Sequence, residues 1–399
     1  MVSVRSALAL AVAFLASTSA ARPHGLLEEL LGDVTAGAPH SHPQDGPSWD
    51  ALMKIANVQP SLEGMLPAKT GPCVEKLQRR AWSDLSKSEK KEYIDAELCL
   101  MKLPQKTNLG GKTRYDDLVK SHQLQAFLVH GDGLFLPFHR LQMHAHERAL
   151  REECGYTGAQ PYWDEEGEAG HFSTSEIFDE VYGFGGDGTG TGGCIETGPF
   201  KDYTLSTGLG YLNYDHCIIR KINDRESRLT AKKYVDACLA LPTFAEAWPC
   251  IGRNPHNGGH RAVGGEMANP ISSPGDPLFY LHHTFLDRVW WRWQALDKEN
   301  RIKDIAGYTS NPEPPTGYVD AKLNTVLNMY GVTPNATVAD VMDIGGDLLC
   351  HEYVDPQRKG GKKESWGKKE EKEEKEDEKE EKEDEKDKKD EETDDEDEE

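Results

Sequence analysis

Seven histidines fall into two sets whose spacing suits metal binding. His122, His130 and His139 follow one another at intervals of eight and nine residues. His256 and His260 stand four apart, and the pair His282-His283 comes in the next apolar stretch. Residues at i and i+4 share a helix face, so His256 and His260 can ligate one ion. One such pair arises readily by chance. Two sets in apolar settings are harder to explain as packing, because an unsatisfied buried imidazole costs roughly 1–3 kcal/mol and a charged one more.

The donor type narrows the metal. HNGGH at 256–260 lacks the glutamate of the HExxH pattern, so a metalloprotease has lost its general base. Three imidazoles can hold zinc. Two neighbouring all-imidazole sites suit copper better, since imidazole binds it well and zinc has no redox chemistry to share. Two coppers together can deliver the two electrons that take dioxygen to peroxide. The residues therefore propose an oxygen-handling copper pair.

Helices must position these rings. Ser86 and Glu89 form a capping box that starts a helix over Lys87 to Met101, and Pro104 stops it. Three- and four-residue apolar steps predict a helix from Tyr115 to Val129 carrying His122, and another from His139 to Glu153 closed by Gly155. A short helix is expected around His256 to Arg261. A long one should run from Asp276, as cap, and Pro277 to about Leu296. The Gly/Thr-rich run Gly183 to Gly193 lacks the strand and helix of a phosphate cradle and reads as a flexible surface loop. Alternating strand patterns are sparse. The fold class is mainly α: a central four-helix bundle around a dinuclear copper site, with long loops and few short strands.

With these residues in view, the chain resembles the type 3 copper proteins, namely tyrosinases, catechol oxidases and hemocyanins. HGDGLFLPFHRLQMHAHE at 130–147 is similar to the family's first copper signature, and DPLFYLHHTFLD at 276–287 to its second. PHNGGHR at 255–261 and PYWD at 161–164 stand at the family's usual places. The resemblance runs from about Cys73 to Tyr353 and is nearest the short secreted fungal enzymes. It implies one copper held by His122, His130 and His139, and a second by His256, His260 and His283. It leaves His282 unassigned, and His144 and His146, which match no ligand position, read as packing residues or as supports behind the ligands. It implies that Asp287 fixes the tautomer of a copper-site imidazole, and that Phe279 packs on the ligand cage. Asn257 and Glu246 would polarise a water for phenol deprotonation, Glu246 being offset from the family position. Arg261 would tune substrate approach, and the loop Glu266 to Gly275 would form the mouth. Leu128 stands where many fungal relatives carry a thioether-forming cysteine, so no such bridge to His130 is expected.

The termini and composition set the context. Arg5, the apolar run Ala7 to Ala16 and the small residues Ser17 to Ala20 read as a secretory signal over residues 1–20. Residues 21–65 read as an arm or propeptide, 66–358 as the copper domain and 359–399 as a charged, disordered tail. That tail holds 12 lysines and 23 acidic residues, a net of −11 against −23 for the whole chain. An acidic chain with no basic stripe argues against nucleic acid as a partner. No stretch after the signal is apolar enough to span a membrane. Eight scattered cysteines without a CxxC point to disulfides in an oxidising compartment, their pairing left open. Asn335-Ala336-Thr337 is a glycosylation sequon. The expected function is oxidation of catechols to o-quinones by O2, with monophenol hydroxylation as an extension. O-aminophenol oxidation, a hemocyanin-like O2 carrier and a binding protein with relic signatures are the alternatives.

Overall fold

The computed structural model describes residues 72–357. The signal segment, the arm, the charged tail from 359 and the flanking residues 66–71 and 358 lie outside these described residues. The main helices are α1 (Lys87–Leu100), α2 (Arg114–Gln123), α3 (Phe135–Cys154), α4 (Lys232–Leu239), α5 (Phe244–Ile251), α6 (Asn257–Val263) and α7 (Leu278–Ala295). Antiparallel two-stranded pieces join β2 (Gly188–Thr189) to β3 (Cys194–Ile195), β4 (Thr204–Leu205) to β5 (His216–Cys217), and β6 (Val326–Leu327) to β7 (Ala336–Thr337). A parallel pair, β1 (Leu77–Arg79) with β8 (His351–Tyr353), brings the two ends of the described chain together. The fold is the expected helical one with few short strands. Among the described residues no helix is long and apolar enough to cross a membrane.

α3 packs against α1 on one side and α7 on the other, around fully buried Tyr93, Phe138, Phe279 and Trp290. The Ser86–Glu89 capping box is present, with Ser86 Oγ accepting from the Glu89 N–H and Glu89 accepting from the Ser86 N–H at 2.8 Å. A second box, Thr113 with Asp116, starts α2. α2 ends at Gln123, well short of Val129. There the Gln125 side-chain amide donates to the Ser121 carbonyl at 2.8 Å, and the chain tightens into a 3-10 turn over Ala126–Leu128. α3 begins a turn before His139, since Pro137 in its first turn lacks only an N–H that would go unused there. Gly155, at φ 70°, closes it in the left-handed conformation.

The segment before α6 also departs from expectation. Gly252–His256 is a π-helical turn, so His256 precedes the α-helix. Pro249 and Pro255 remove two donors from this stretch, and a widened turn accommodates the loss. Asp276 caps α7 by accepting from the Leu278 N–H at 3.0 Å while holding Arg220 through both oxygens. Arg220 in turn donates to the carbonyls of Phe184 and Gly185. Only the start of the glycine-rich run is pinned: Gly183, Phe184 and Gly185 are buried, whereas Thr189 to Gly192 lie exposed at the surface as expected.

The eight cysteines pair as Cys73–Cys350, Cys99–Cys154, Cys194–Cys217 and Cys238–Cys250. Asn335 of the sequon is buried, its Oδ1 accepting the Met329 N–H at 2.8 Å.

Candidate metal centre

The end of α2, the turn after it and the second turn of α3 bring His122, His130 and His139 together. Their ring centroids lie 5.0, 5.5 and 5.0 Å apart. The π-turn, α6 and α7 gather His256, His260 and His283, with His256 and His260 rings 4.5 Å apart and each 5.3 Å from His283. Within each group one ring nitrogen per residue lies within 4.8 Å of the others, and His282 belongs to the second group by this measure. The two groups adjoin. His139 stacks on His283 at 4.2 Å and 14°.

Main-chain carbonyls fix five of these six rings. Nδ1 of His122 faces the Ile271 carbonyl at 2.9 Å, His130 that of Ala126 at 2.8 Å, and His139 that of Phe135 at 2.7 Å. His260 faces Met267 at 2.6 Å, and His256 faces Gly252 at 3.3 Å. A proton held on Nδ1 leaves the Nε2 lone pair free, as metal-binding histidines require. The Nε2 atoms of His122, His139 and His256 are buried with no hydrogen-bond partner, and those of His260 and His283 face each other at 3.2 Å. Burial, reinforced at most positions by neighbouring imidazoles, holds all six rings below their ordinary pKa; His130 falls to about 4. The imidazoles are therefore neutral at pH 7. Orphaned neutral nitrogens, with no thiolate among the donors, fit a pair of copper ions.

Two phenylalanines wall the cage. Phe279 lies 4.1 Å from His283, 5.4 Å from His122 and 6.1 Å from both His139 and His260. Phe135, which the sequence reading did not single out, lies 4.7 Å from His256 and 5.1 Å from His139. Its signal was available: it stands four residues before His139 inside the first signature.

Several expectations are corrected. Asp287 does not reach a copper-site imidazole. Its carboxylate accepts from Arg140 Nε and, at 2.5 Å, from the Tyr353 hydroxyl, and Arg79 stands 3.5 Å away. Burial pushes its pKa up, but Arg140, His351 and Arg79 outweigh that and hold it below the usual carboxylate range. Asp287 thus ties α7 to α3 through Arg140, whose guanidinium also covers the Trp290 ring at 3.7 Å. Glu246 is exposed on α5 and accepts from the Thr243 hydroxyl at 2.7 Å, a first-turn helix contact that turns it to solvent. Asn257 is half-buried, its Oδ1 3.2 Å from His256 Nδ1. Arg261 is exposed, 3.9 Å from Glu226. The loop Glu266 to Gly275 supplies the carbonyls that hold His260 and His122, with Ala268 and Pro270 exposed and Ser272 to Gly275 buried. His146 stacks on Tyr280 at 3.6 Å and bonds to Gln160 and Glu97; His144 is half-buried on the same helix. Leu128 sits half-buried in the 3-10 turn.

The profile of the common central domain of tyrosinase matches residues 112–296, a span that includes all six histidines. A tyrosinase-like protein, phomQ1, from Diaporthe leptostromiformis is 34 % identical over 70 % of this chain and 78 % of its own length. Tyrosinase ustQ from Aspergillus flavus is 35 % identical over 71 % of this chain and 80 % of its own. Among solved structures, a polyphenol oxidase variant from Thermothelomyces thermophila superposes with a TM-score of 0.64 at 29 % identity, covering 70 % of this chain and 89 % of that one. Helical fold, paired imidazole cage and these likenesses together define a type 3 copper oxidoreductase. The chain belongs to the tyrosinase family, whose cofactor is a dinuclear copper centre.

Proposed function

We propose that the chain oxidises o-diphenols to o-quinones, two diphenols being consumed for each O2 reduced to two waters. His122, His130 and His139 would hold one copper, and His256, His260 and His283 the other. The observation that carries this reading is the set of buried, partnerless Nε2 atoms that two adjoining histidine groups turn inward. When bound, the copper pair supplies the electron transfer between diphenol and dioxygen. The chain's own residues supply position and dryness. The carbonyls of Ile271, Ala126, Phe135, Gly252 and Met267 hold the rings, and Phe135 and Phe279 exclude water between them. His130 is half-buried, and His256 and His260 are 9 and 8 % exposed, against 0–3 % for His122, His139 and His283. The aromatic substrate therefore approaches from the side of His130, His256 and His260.

Hydroxylating a monophenol needs a base, because a phenol has a pKa of about 10. Glu246 points to solvent and Asn257 is engaged with His256, so the pair expected to provide that base is not assembled. This favours catechols over monophenols. Oxygen-electrode turnover of copper-loaded protein with catechol, 2-aminophenol, tyrosine and 6-hydroxyindole tests the reading. The hydroxyindole is included because a relative at 29 % identity is named an N-acetyl-6-hydroxytryptophan oxidase. Catechol should turn over at least about tenfold faster than tyrosine. Faster turnover of 2-aminophenol would reassign the substrate class, and binding of O2 without turnover would make the chain a carrier. The four disulfides support the reading of a secreted enzyme, since such bonds persist in oxidising compartments.

A further inference from the structure

Beneath the second histidine group lies an ionisable pair that the chemistry above does not use. His282 is fully buried, and its Nδ1 stands 2.7 Å from Oε1 of Glu165, itself fully buried at the start of the single turn Glu165–Glu168. The His282 ring is 4.6 Å from His260 and 5.8 Å from His256, so it abuts both α6-side rings. The α6 backbone passes directly over the pair at Gly259. A Cβ there would stand 2.7 Å from Glu165 Oε2 and closer still to the imidazole. On the other side, a Cβ at Gly258 would stand 2.6 Å from the Leu229 Cβ. The helix can lie this low only because HNGGH carries glycine at both 258 and 259. Glu165 is anchored in turn, its carbonyl accepting from the Thr230 hydroxyl at 3.0 Å.

Packing stability does not account for the pair. Replacing a buried carboxylate and its partner with apolar residues of similar volume is often neutral or stabilising. Glu165 Oε2 lacks any hydrogen-bond partner, which makes the arrangement dearer still. A carboxylate bonded to an imidazole does fix ring orientation, and carboxylates are used in this way behind metal ligands. Here the fixed ring is the floor on which two ligands rest.

We propose that Glu165 and His282 are positioning residues for the second copper, setting the height of α6 so that His256 and His260 converge on His283. The inference rests on the ligand assignment given above. Its test compares copper per chain, the kinetics of copper extraction by EDTA from the loaded enzyme, and the melting temperature of the copper-free protein. In a Glu165→Leu/His282→Phe variant the copper-free melting temperature should be unchanged or higher, while one copper per chain leaves at least about tenfold faster than in the unaltered enzyme. Glu165→Gln, which keeps an acceptor for His282, should restore slow release. If the double variant does not fold, the same release measurement on Glu165→Gln and Glu165→Ala decides, slow for the first and fast for the second. Unchanged release of both coppers, or loss of both in step with melting temperature, overturns the proposal. His283→Ala separates the two readings: a variant that still binds two coppers refutes the ligand assignment and the inference with it. One bound copper, alongside unchanged release in the Glu165 variants, refutes the positioning role alone.

Discussion

On the proposed ligand assignment six imidazoles carry the reactivity, and five of them are held by carbonyls that no spacing rule reveals. Removing one donor should cripple one site: His283→Ala is expected to bind one copper where the parent binds two and to lose catechol oxidation by at least about a thousandfold, checked by metal analysis and quinone absorbance. The same residues make the copper-free protein sensitive to acid. Burial, with like-charged neighbours, holds these rings below their unfolded pKa of about 6.5. As pH falls through 6.5 the unfolded chain takes up protons that the folded state refuses, so stability falls with pH. The copper-free melting temperature should therefore drop from pH 7 to pH 5, and drop less with copper bound, since the metal holds the neutral form. A flat profile in calorimetry would contradict the burial of the cage. Spacing made the histidines legible. The carbonyls of Met267 and Ile271 were not legible, because every residue has one. Glu246 was misread because its separation from His256 says nothing of the direction a helix surface turns it.

At the scale of helices, the second signature placed Asp287 one turn past His283, and the shared face was inferred from that spacing. What the spacing could not tell was which neighbour would claim the carboxylate. Arg140, adjacent to His139 in the other signature, claims it, so the two helices that bear His139 and His283 are stapled by the residues beside their ligands. Asp287→Ala leaves Arg140 with an uncompensated charge in the core, and breaking such a pair costs about 3–5 kcal/mol. Chemical denaturation should show a loss of that size, whereas Asp287→Asn should lose less because it keeps an acceptor. The capping residues of α1 and the cap of α7 were readable from local chemistry. The early end of α2 was not, because Gln125 also reaches the distant Asn328 carbonyl at 2.9 Å. The π-turn before α6 was equally hidden, since prolines announce a break in a helix but not the shape it takes.

Over the whole molecule, closure of the chain on itself is the feature that sequence left open. Eight cysteines permit 105 pairings, and only tertiary structure selects Cys73–Cys350, which joins positions 277 residues apart beside the β1–β8 pair. Closing so long a loop restricts the unfolded chain strongly. Replacing both cysteines with serine should lower stability by about 3–5 kcal/mol, read as a fall in melting temperature with the copper content unchanged at low temperature. The charged run from residue 359 has the opposite expectation. Its 12 lysines and 23 acidic residues offer almost nothing to bury, so a chain ending at Arg358 should keep its melting temperature and its turnover; a drop in either would give that run a structural part.

One short span ties the two halves of the cage together. The carbonyl of Met267 orients a ring of one half and that of Ile271, four residues on, a ring of the other. The gap between the halves is thus measured out by a common ruler of five residues. An insertion or deletion anywhere along that ruler would knock both halves out of register at once.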